Sequence, residues 1–183
     1  MKKNNHYTAM KFLLWHDILN ANKPFTWRRI FLRCWRDPSK RFLLWWRIAS
    51  YLHSSGNKKK KRLAQKINWM LIRKYNTEIM LGAEIGGGLQ IRHFNGLVIT
   101  SHVIIGQNFR ARQNTTIGVK GKNNGIIRIG NHVEIGANSC IIGDNLEIGD
   151  NVMIGAMSFI NKDIPSNCIV YTEKKNTIKI VNQ

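Results

Sequence analysis

One histidine stands where the most regular part of this chain is interrupted. His93 lies in the stretch QIRHFNGLVIT, residues 90–100, inside a run of aliphatic residues spaced six apart. The step from Ile91 to Ile99 is eight residues, so two extra residues appear beside the histidine. A neutral imidazole can take a proton from a reacting hydroxyl near neutral pH, and insertions in a repeat array tend to display functional groups. His93 is therefore the first candidate for chemistry.

The repeat that surrounds His93 predicts the architecture. After Tyr75 an aliphatic residue recurs every six positions, often followed by Gly, as in IGQNFR and IGDNVM. A period of six fits neither an α-helix nor the alternation of a β-sandwich. Each hexad would form one short strand with an inward aliphatic side chain, then a corner where Gly or Asn tolerates positive φ. Three hexads would close a triangular coil, which is the pattern of a left-handed parallel β-helix.

Three breaks in the six-residue register predict where this β-helix departs from regularity. The first is the eight-residue step at His93. The second lies between Ile117 and Ile129, where the polar stretch VKGKNNG predicts a loop over residues 119–126. The third is one extra residue between Ile135 and Ile142. We place the β-helix domain at residues 77–172 and a C-terminal tail at 173–183.

Residues 1–76 predict a helical domain. Asp37 as N-cap, Pro38 in the first turn and Gly56 as the stop delimit one helix. A second covers KKKKRLAQKINWMLIRKY, with Leu63, Ile67, Met70 and Leu71 on one face. Shorter helices are predicted around Phe12–Leu19 and Trp27–Cys34.

The cysteines and the N-terminal stretch bear on location. Cys34, Cys140 and Cys168 show no metal-binding or disulfide spacing, which predicts reduced thiols. MKKNNHYTAM lacks the apolar region of a signal peptide, and no run approaches the ~20 apolar residues that span a bilayer. We predict a cytoplasmic location, with a peripheral position at the inner face of the cytoplasmic membrane left open.

The motifs around His93 resemble those of a known family. GAEIGGGLQIRHFNGLVIT followed by NTTIGVKG resembles the serine acetyltransferase-like branch of the hexapeptide acyltransferases. That branch includes serine O-acetyltransferases and the colanic-acid and capsule-type O-acetyltransferases. RDPSKRFLLWWRIASYL is similar to the end of its helical domain, so the resemblance covers roughly residues 35–170. It implies that His93 is the catalytic base and that Glu78, at a position usually occupied by Asp, orients the imidazole.

The resemblance also implies acetyl-CoA as the donor, bound in the groove between two subunits of a homotrimer. Gly118, Val119 and Lys120 are implied to contact the pantetheine arm near the thioester, and no metal is implied. Small residues along the arm and lysines near the nucleotide phosphates complete the implied donor site: Ala137, Gly155 and Ala156, then Lys120, Lys122, Lys174 and Lys175.

A metal site built from His93, His102 and His132 is the alternative for the histidines. The gamma-type carbonic anhydrases, which share the β-helix, use three histidines at a spacing that this set does not have. No CxxC or HxxxH pattern is present either. We predict that His102 and His132 are exposed polar residues.

The predicted acceptor follows from a departure from serine acetyltransferases. Those enzymes have Asp directly before the catalytic histidine, where Arg92 stands here, and an Arg-His-Pro segment where this chain reads NNGIIRIG. Arg92, with Arg110 and Arg112, favours an anionic acceptor. We predict O-acetylation of a sugar hydroxyl in a capsular polysaccharide, an exopolysaccharide or a precursor. The alternatives are a serine O-acetyltransferase and a non-catalytic scaffold that binds a membrane or a polyanion.

The charge of the helical domain points to a partner surface. Residues 1–76 hold 19 Lys and Arg against two acids and contain all six Trp, whereas residues 77–183 hold ten against eight. Such a domain could steer a polyanionic glycan, contact an anionic membrane, or form a solvated trimerising face. No recognition motif supports nucleic-acid binding.

Overall fold

The N-terminal part of the chain is helical. The computed structural model describes residues 2–121, 125–173, 175 and 178. The helices there are α1 (Lys2–Leu19), α2 (Trp27–Arg36), α3 (Pro38–Ser54) and α4 (Lys58–Tyr75). The predicted cap of α3 is confirmed, because the Asp37 carboxylate accepts hydrogen bonds from the N–H groups of Ser39 (2.9 Å) and Lys40 (3.4 Å). Within these residues, no helix is both long and apolar enough to cross a bilayer.

The rest of the described chain is a parallel β-helix, which confirms the architecture predicted from the hexads. Its strands form three parallel sheets that are the faces of a prism. The first face contains β1 (Thr77–Ile79), β4 (Leu97–Ile99), β7 (Thr116–Gly118), β10 (Cys140–Ile142) and β13 (Phe159–Ile160). The second contains β2 (Glu84–Ile85), β5 (Val103–Ile105), β8 (Ile127–Ile129) and β11 (Glu147–Ile148). The third contains β3 (Gln90–Arg92), β6 (Arg110–Arg112), β9 (Glu134–Ile135), β12 (Met153–Ile154) and β14 (Ile169–Val170).

The inward aliphatic residues stack coil on coil, as in the register Ile79↔Ile99. One predicted break is misplaced. Ile141, rather than Ile142, is fully buried and pairs with Ile117, so the six-residue step from Ile135 continues unbroken. The additional residue lies in the following turn, between Ile141 and Ile148. The sequence did not decide between Ile141 and Ile142, because either of these adjacent isoleucines could have been the inward residue.

The glycines that follow inward isoleucines have a different role from the predicted one. The corners with positive φ are formed mainly by Asn, for example Asn114 (54°) and Asn138 (58°). Gly136 does not have positive φ, yet a Cβ there would stand 2.4 Å from the backbone nitrogen of Ala156 in the next coil. Close approach between coils therefore selects glycine at this position, and backbone handedness selects asparagine at the corners.

The helices and the first coil are joined by buried polar contacts. Arg47 of α3 donates to the Asp17 carboxylate of α1 (2.7 Å) and to the carbonyls of Ile85 (2.6 Å) and Gly86 (2.7 Å). The other carboxylate oxygen of Asp17 accepts the N–H groups of Gly88 (2.8 Å) and Leu89 (3.0 Å). Asp17 and Arg47 are only 1% and 3% exposed. The indole of Trp46 donates to the Ile79 carbonyl (3.2 Å).

The predicted apolar face of α4 is partly wrong. Ala64, Asn68 and Leu71 are buried, whereas Leu63 and Met70 are 49% and 40% exposed. The buried face of α4 therefore contains Ala64 and Asn68 in place of Leu63 and Met70. A small residue such as Ala64 allows α4 to pack closely against α3. Phe42, Trp46 and Leu71 join the aliphatic core of the β-helix, so the helices and the first coil share one core.

Cys34 should resist alkylation in the folded protein. It is 4% exposed, and burial raises the pKa of its thiol to about 11, so little thiolate exists at pH 8. Cys140 and Cys168 are free and half-buried. We expect iodoacetamide at pH 8 to modify these two well before Cys34, as read by mass spectrometry, with all three reacting in denaturant. Equal rates in the native protein would contradict the packing around α2.

Candidate active site

The two-residue insertion at His93 forms a turn between the third and first faces. In the next coil, the same corner is made by Gln113 and Asn114 alone. In the His93 coil, Gly96 takes the place of Asn114, with φ of 69°, and its N–H donates to the Asn76 carbonyl (2.8 Å). His93 and Phe94 are the surplus residues. His93 is exposed and has a φ of 67°, so the turn projects the imidazole outward from the wall.

Phe94 fixes this turn to the helices. Its ring packs against Phe42 of α3 and Tyr75 of α4, with centroid distances of 5.1 and 5.4 Å. Its carbonyl accepts a hydrogen bond from the Thr77 hydroxyl (3.1 Å). The inserted turn is therefore anchored on one side by Phe94 and free on the other, where His93 meets solvent. Phe94 was not predicted as a functional residue, although it lies inside the motif and is the only apolar residue between Arg92 and Gly96.

Glu78 lies in the middle of β1, in the coil that ends at His93, and pairs in register with Val98 of the next coil. The residue before Glu78, Thr77, is the one hydrogen-bonded to the residue after His93, so the chain brings the two segments together. Within the described residues, neither the Glu78 carboxylate nor the His93 imidazole makes a hydrogen bond. The predicted contact between them is thus not formed in this structure, and the role of Glu78 stays a prediction.

The three predicted acceptor-binding arginines lie on the third face. Arg92 of β3 pairs in register with Arg112 of β6, and Arg110 lies two residues before Arg112 on β6. Arg112 and Arg110 both contact the Glu134 carboxylate, at 3.0 and 3.5 Å. The hydrogen bond from Arg112 is the main reason that the pKa of Glu134 is lowered. In the described part of the chain Arg92 has no carboxylate partner, which leaves the arginine beside His93 available.

The predicted donor-binding residues fall on two different edges of the prism. Ala137, Gly155 and Ala156 lie between the third and first faces, on the same edge as His93, where the Ala137 carbonyl accepts the N–H of Met157 (2.7 Å). We call this the His93 edge.

Gly118, Val119 and Lys120 lie instead at the next corner, between the first and second faces. Lys120 is exposed there, and its backbone N–H donates to Asp144 (3.1 Å). Lys175 is exposed, whereas the predicted phosphate contacts Lys122 and Lys174 lie outside the described residues. One chain therefore does not bring the two halves of the predicted donor site together.

The other histidines of the β-helix lie apart from this turn. His102 is exposed and shares a hydrogen bond with the Ser101 hydroxyl (3.3 Å). His132 is an exposed corner residue with a φ of 57°, between the second and third faces. Over the described ranges, no three His, Cys, Asp or Glu side chains gather into a group suited to a metal ion.

Comparison with known proteins relates the chain to named acetyltransferases. The chain is 38% identical over 108 residues to WcaB of Escherichia coli K12, whose name assigns it provisionally to colanic acid biosynthesis as an acetyltransferase; the match covers 58% of this chain and 65% of WcaB. It is 34% identical over 135 residues to the serine acetyltransferase of Synechococcus elongatus, covering 73% and 54% of the two chains. The chain is a homologue of the hexapeptide-repeat acetyltransferases. The resemblance inferred from its motifs is thereby confirmed.

Solved structures of serine acetyltransferases have the same fold. The fold matches serine acetyltransferase isoform 3 of Entamoeba histolytica, solved with cysteine, at a TM-score of 0.77 and 25% identity over 98% of this chain and 63% of that one. Serine acetyltransferase of Brucella abortus, solved with coenzyme A, has the same fold at a TM-score of 0.73 and 22% identity, covering 94% and 68%. No model of a known protein family matches the chain. This acetyltransferase homologue spans less than two thirds of the length of WcaB and of the Synechococcus enzyme.

Proposed function

We propose that this acetyltransferase homologue transfers acetyl from acetyl-CoA to a hydroxyl of an acidic sugar, in a capsular polysaccharide, an exopolysaccharide or a precursor. The observation that carries the proposal is the inserted turn, which presents His93 to solvent directly beside the unpaired Arg92. The imidazole supplies a base for a hydroxyl, and the guanidinium supplies a fork for a carboxylate on the same substrate.

His93 would act within a ternary complex of donor and acceptor. Its neutral imidazole accepts the proton of the sugar hydroxyl while that oxygen attacks the thioester carbonyl carbon. Backbone N–H groups that face the carbonyl would stabilise the tetrahedral oxyanion. When the C–S bond breaks, the leaving thiolate of coenzyme A takes the proton from the imidazolium. Glu78, once drawn toward the ring, would hold its tautomer and stabilise its charged form.

A homotrimer would complete the donor site. Because Gly118–Lys120 and Ala137–Ala156 occupy different edges of one chain, a groove between two copies could use one edge from each. An exposed apolar strip near the His93 edge supports an interface there. Its residues are Met153, Met157, Phe159, Ile169 and Tyr171, which are 50–71% exposed. That a Brucella relative of this fold was solved with coenzyme A supports the choice of donor.

Serine is the second candidate acceptor. It is favoured by the Synechococcus relative and by the solved neighbours, which are named as serine acetyltransferases. Arg92 argues against it, because an arginine beside the base would repel the ammonium group of serine. A location at an anionic membrane also belongs to the proposal, since the basic charge is concentrated in the helices.

The test measures thiol release from acetyl-CoA with L-serine and with matched neutral and acidic oligosaccharides. We expect turnover with an acidic glycan, and we expect Arg92→Ala to raise KM mainly for that acceptor. Arg128→Ala is the matched control, because it removes an exposed arginine from the second face, away from His93. Turnover with serine alone, or equal loss on neutral and acidic glycans in Arg92→Ala, would refute the acidic acceptor.

Phe94→Ala should lower kcat by roughly ten- to hundredfold, because the turn that carries His93 would lose its contact with Phe42 and Tyr75 and misplace the base. KM for acetyl-CoA should change little. Phe94→Leu keeps apolar packing and should retain most activity. Steady-state kinetics of both variants decide the point, and unchanged kcat in Phe94→Ala would mean that the turn is held without the ring.

Phe159→Asp should dissociate the trimer, because Phe159 is 57% exposed in the apolar strip and a carboxylate there would be buried against another copy. Analytical ultracentrifugation should give three times 21.1 kDa for the wild type and a monomer for the variant. Glu147→Gln, on the second face, serves as the control. A Phe159→Asp variant that stays trimeric would place the interface elsewhere. A monomeric wild type would rule out the proposed trimer.

A further inference from the structure

Helix α2 presents an apolar stripe to solvent. Its inner side is anchored by Ile30 and Cys34, which are 0% and 4% exposed. On its outer side Phe31, Leu32 and Trp35 are 57%, 52% and 84% exposed. Positions separated by three and four residues are neighbours on a helix surface, so Trp35 lies next to both Phe31 and Leu32. These three side chains form one continuous outward group, which we call the α2 stripe.

The α2 stripe is set among unpaired arginines. Arg28 lies one turn before Phe31 and Leu32, and Arg36 directly follows Trp35; both are exposed. Within the described residues, neither pairs with a carboxylate. The sequence has no acid from Ile18 to Arg36. A second copy docked through the same face would bring these charges against their own kind, so the stripe suits an apolar and negatively charged partner.

We propose that the α2 stripe docks on the surface of an anionic lipid bilayer. Trp, Phe and Leu side chains gain free energy at the boundary between headgroups and acyl chains, and arginines bind lipid phosphates. A soluble polyanion would use the arginines but not Leu32, which offers no ring for stacking on a base or a sugar. This inference extends the proposed membrane location. It does not depend on the acceptor, because vesicle binding is measured without acetyl transfer.

The experiment is flotation of the full chain with phosphatidylcholine vesicles, with and without phosphatidylglycerol. We expect the wild type to bind only the anionic vesicles, and less strongly as salt rises. Trp35→Ser should lower the partition coefficient by about tenfold. Arg28→Gln and Arg36→Gln should each lower it by about fivefold.

The matched control is Trp69→Ser. Trp69 is also exposed (68%), but it lies on α4, and none of the residues three or four positions away is an exposed large apolar side chain: Gln65, Lys66, Ile72 and Arg73. We expect its vesicle partition to equal that of the wild type, and the thermal midpoint of both Trp variants to be unchanged. Equal loss in the two Trp variants would overturn the assignment to α2. Unchanged vesicle partition in Trp35→Ser would overturn the proposal that the α2 stripe binds a membrane. Binding to dextran sulfate or single-stranded DNA as tight as to anionic vesicles would overturn it too.

Discussion

Replacing His93 by Asn should lower kcat for acetyl transfer by roughly 10²–10⁴-fold, because the amide cannot take the proton of the attacking hydroxyl. Asn is the appropriate substitute, since residue 93 has a φ of 67° and Asn tolerates this conformation as Ala does not. KM for acetyl-CoA should stay near the wild-type value. The measurement is thiol release with the acceptor that the wild type uses.

Glu78→Gln provides the graded comparison. It keeps the shape of the side chain but removes the negative charge that would steady the imidazolium, so we expect a smaller loss of kcat than in His93→Asn. Wild-type turnover in His93→Asn would exclude this histidine as the base. The hexapeptide fold would then carry a different catalytic group or a binding function.

Asp17→Ala should be the most destabilising substitution in the helical part of the chain, at about 3–5 kcal/mol. It leaves the guanidinium of Arg47 buried without its carboxylate, and it removes the acceptor for the Gly88 and Leu89 N–H groups. For a chain of this length we expect the thermal midpoint to fall by at least about 6 °C. Differential scanning calorimetry measures it.

Two further variants test whether the loss of stability comes from leaving a buried charge unpaired. Glu134→Gln breaks ion pairs whose arginines are nearly half exposed, and it should cost less than about 1 kcal/mol. The double variant Asp17→Ala/Arg47→Met should cost less than the sum of the single changes, because no charge is left unpaired. If Asp17→Ala were no worse than Glu134→Gln, the buried pair would not stabilise the junction.

The β-helix could be predicted from the sequence because its period is local. Each hexad places one aliphatic residue inward, so Ile79, Ile99 and Ile117 could be assigned to the core without knowledge of any contact. The exception is informative: at Ile141 and Ile142 two apolar residues are adjacent, and only the pairing with Ile117 decides between them. The role of the glycines after the inward residues could not be predicted in the same way. It depends on how closely the next coil approaches, which only the folded structure shows.

The sequence predicted the motif that contains His93, but not the residues that contact and support its turn. His93 was found because an insertion interrupts a regular pattern, which is visible in one sequence. The turn is supported by packing of Phe94 against Phe42 and Tyr75. These residues are far apart in the sequence, and no periodic pattern relates their positions. Arg110 and Arg112 looked like free cations because Glu134 lies 22 to 24 positions away. Asp17 could have been noticed as an acid inside FLLWHDIL, a stretch that is otherwise apolar except for His16.

The polar junction between helices and first coil bears on how the β-helix ends. A stack of parallel strands exposes unpaired backbone groups at its first coil, and such an edge is a template for further strands. Here the carbonyls of Ile79, Ile85 and Gly86 and the N–H groups of Gly88 and Leu89 are taken up by the side chains of Trp46, Arg47 and Asp17. The helices thus act as a terminator that keeps the solenoid from growing end to end, and side-by-side association remains open to its faces.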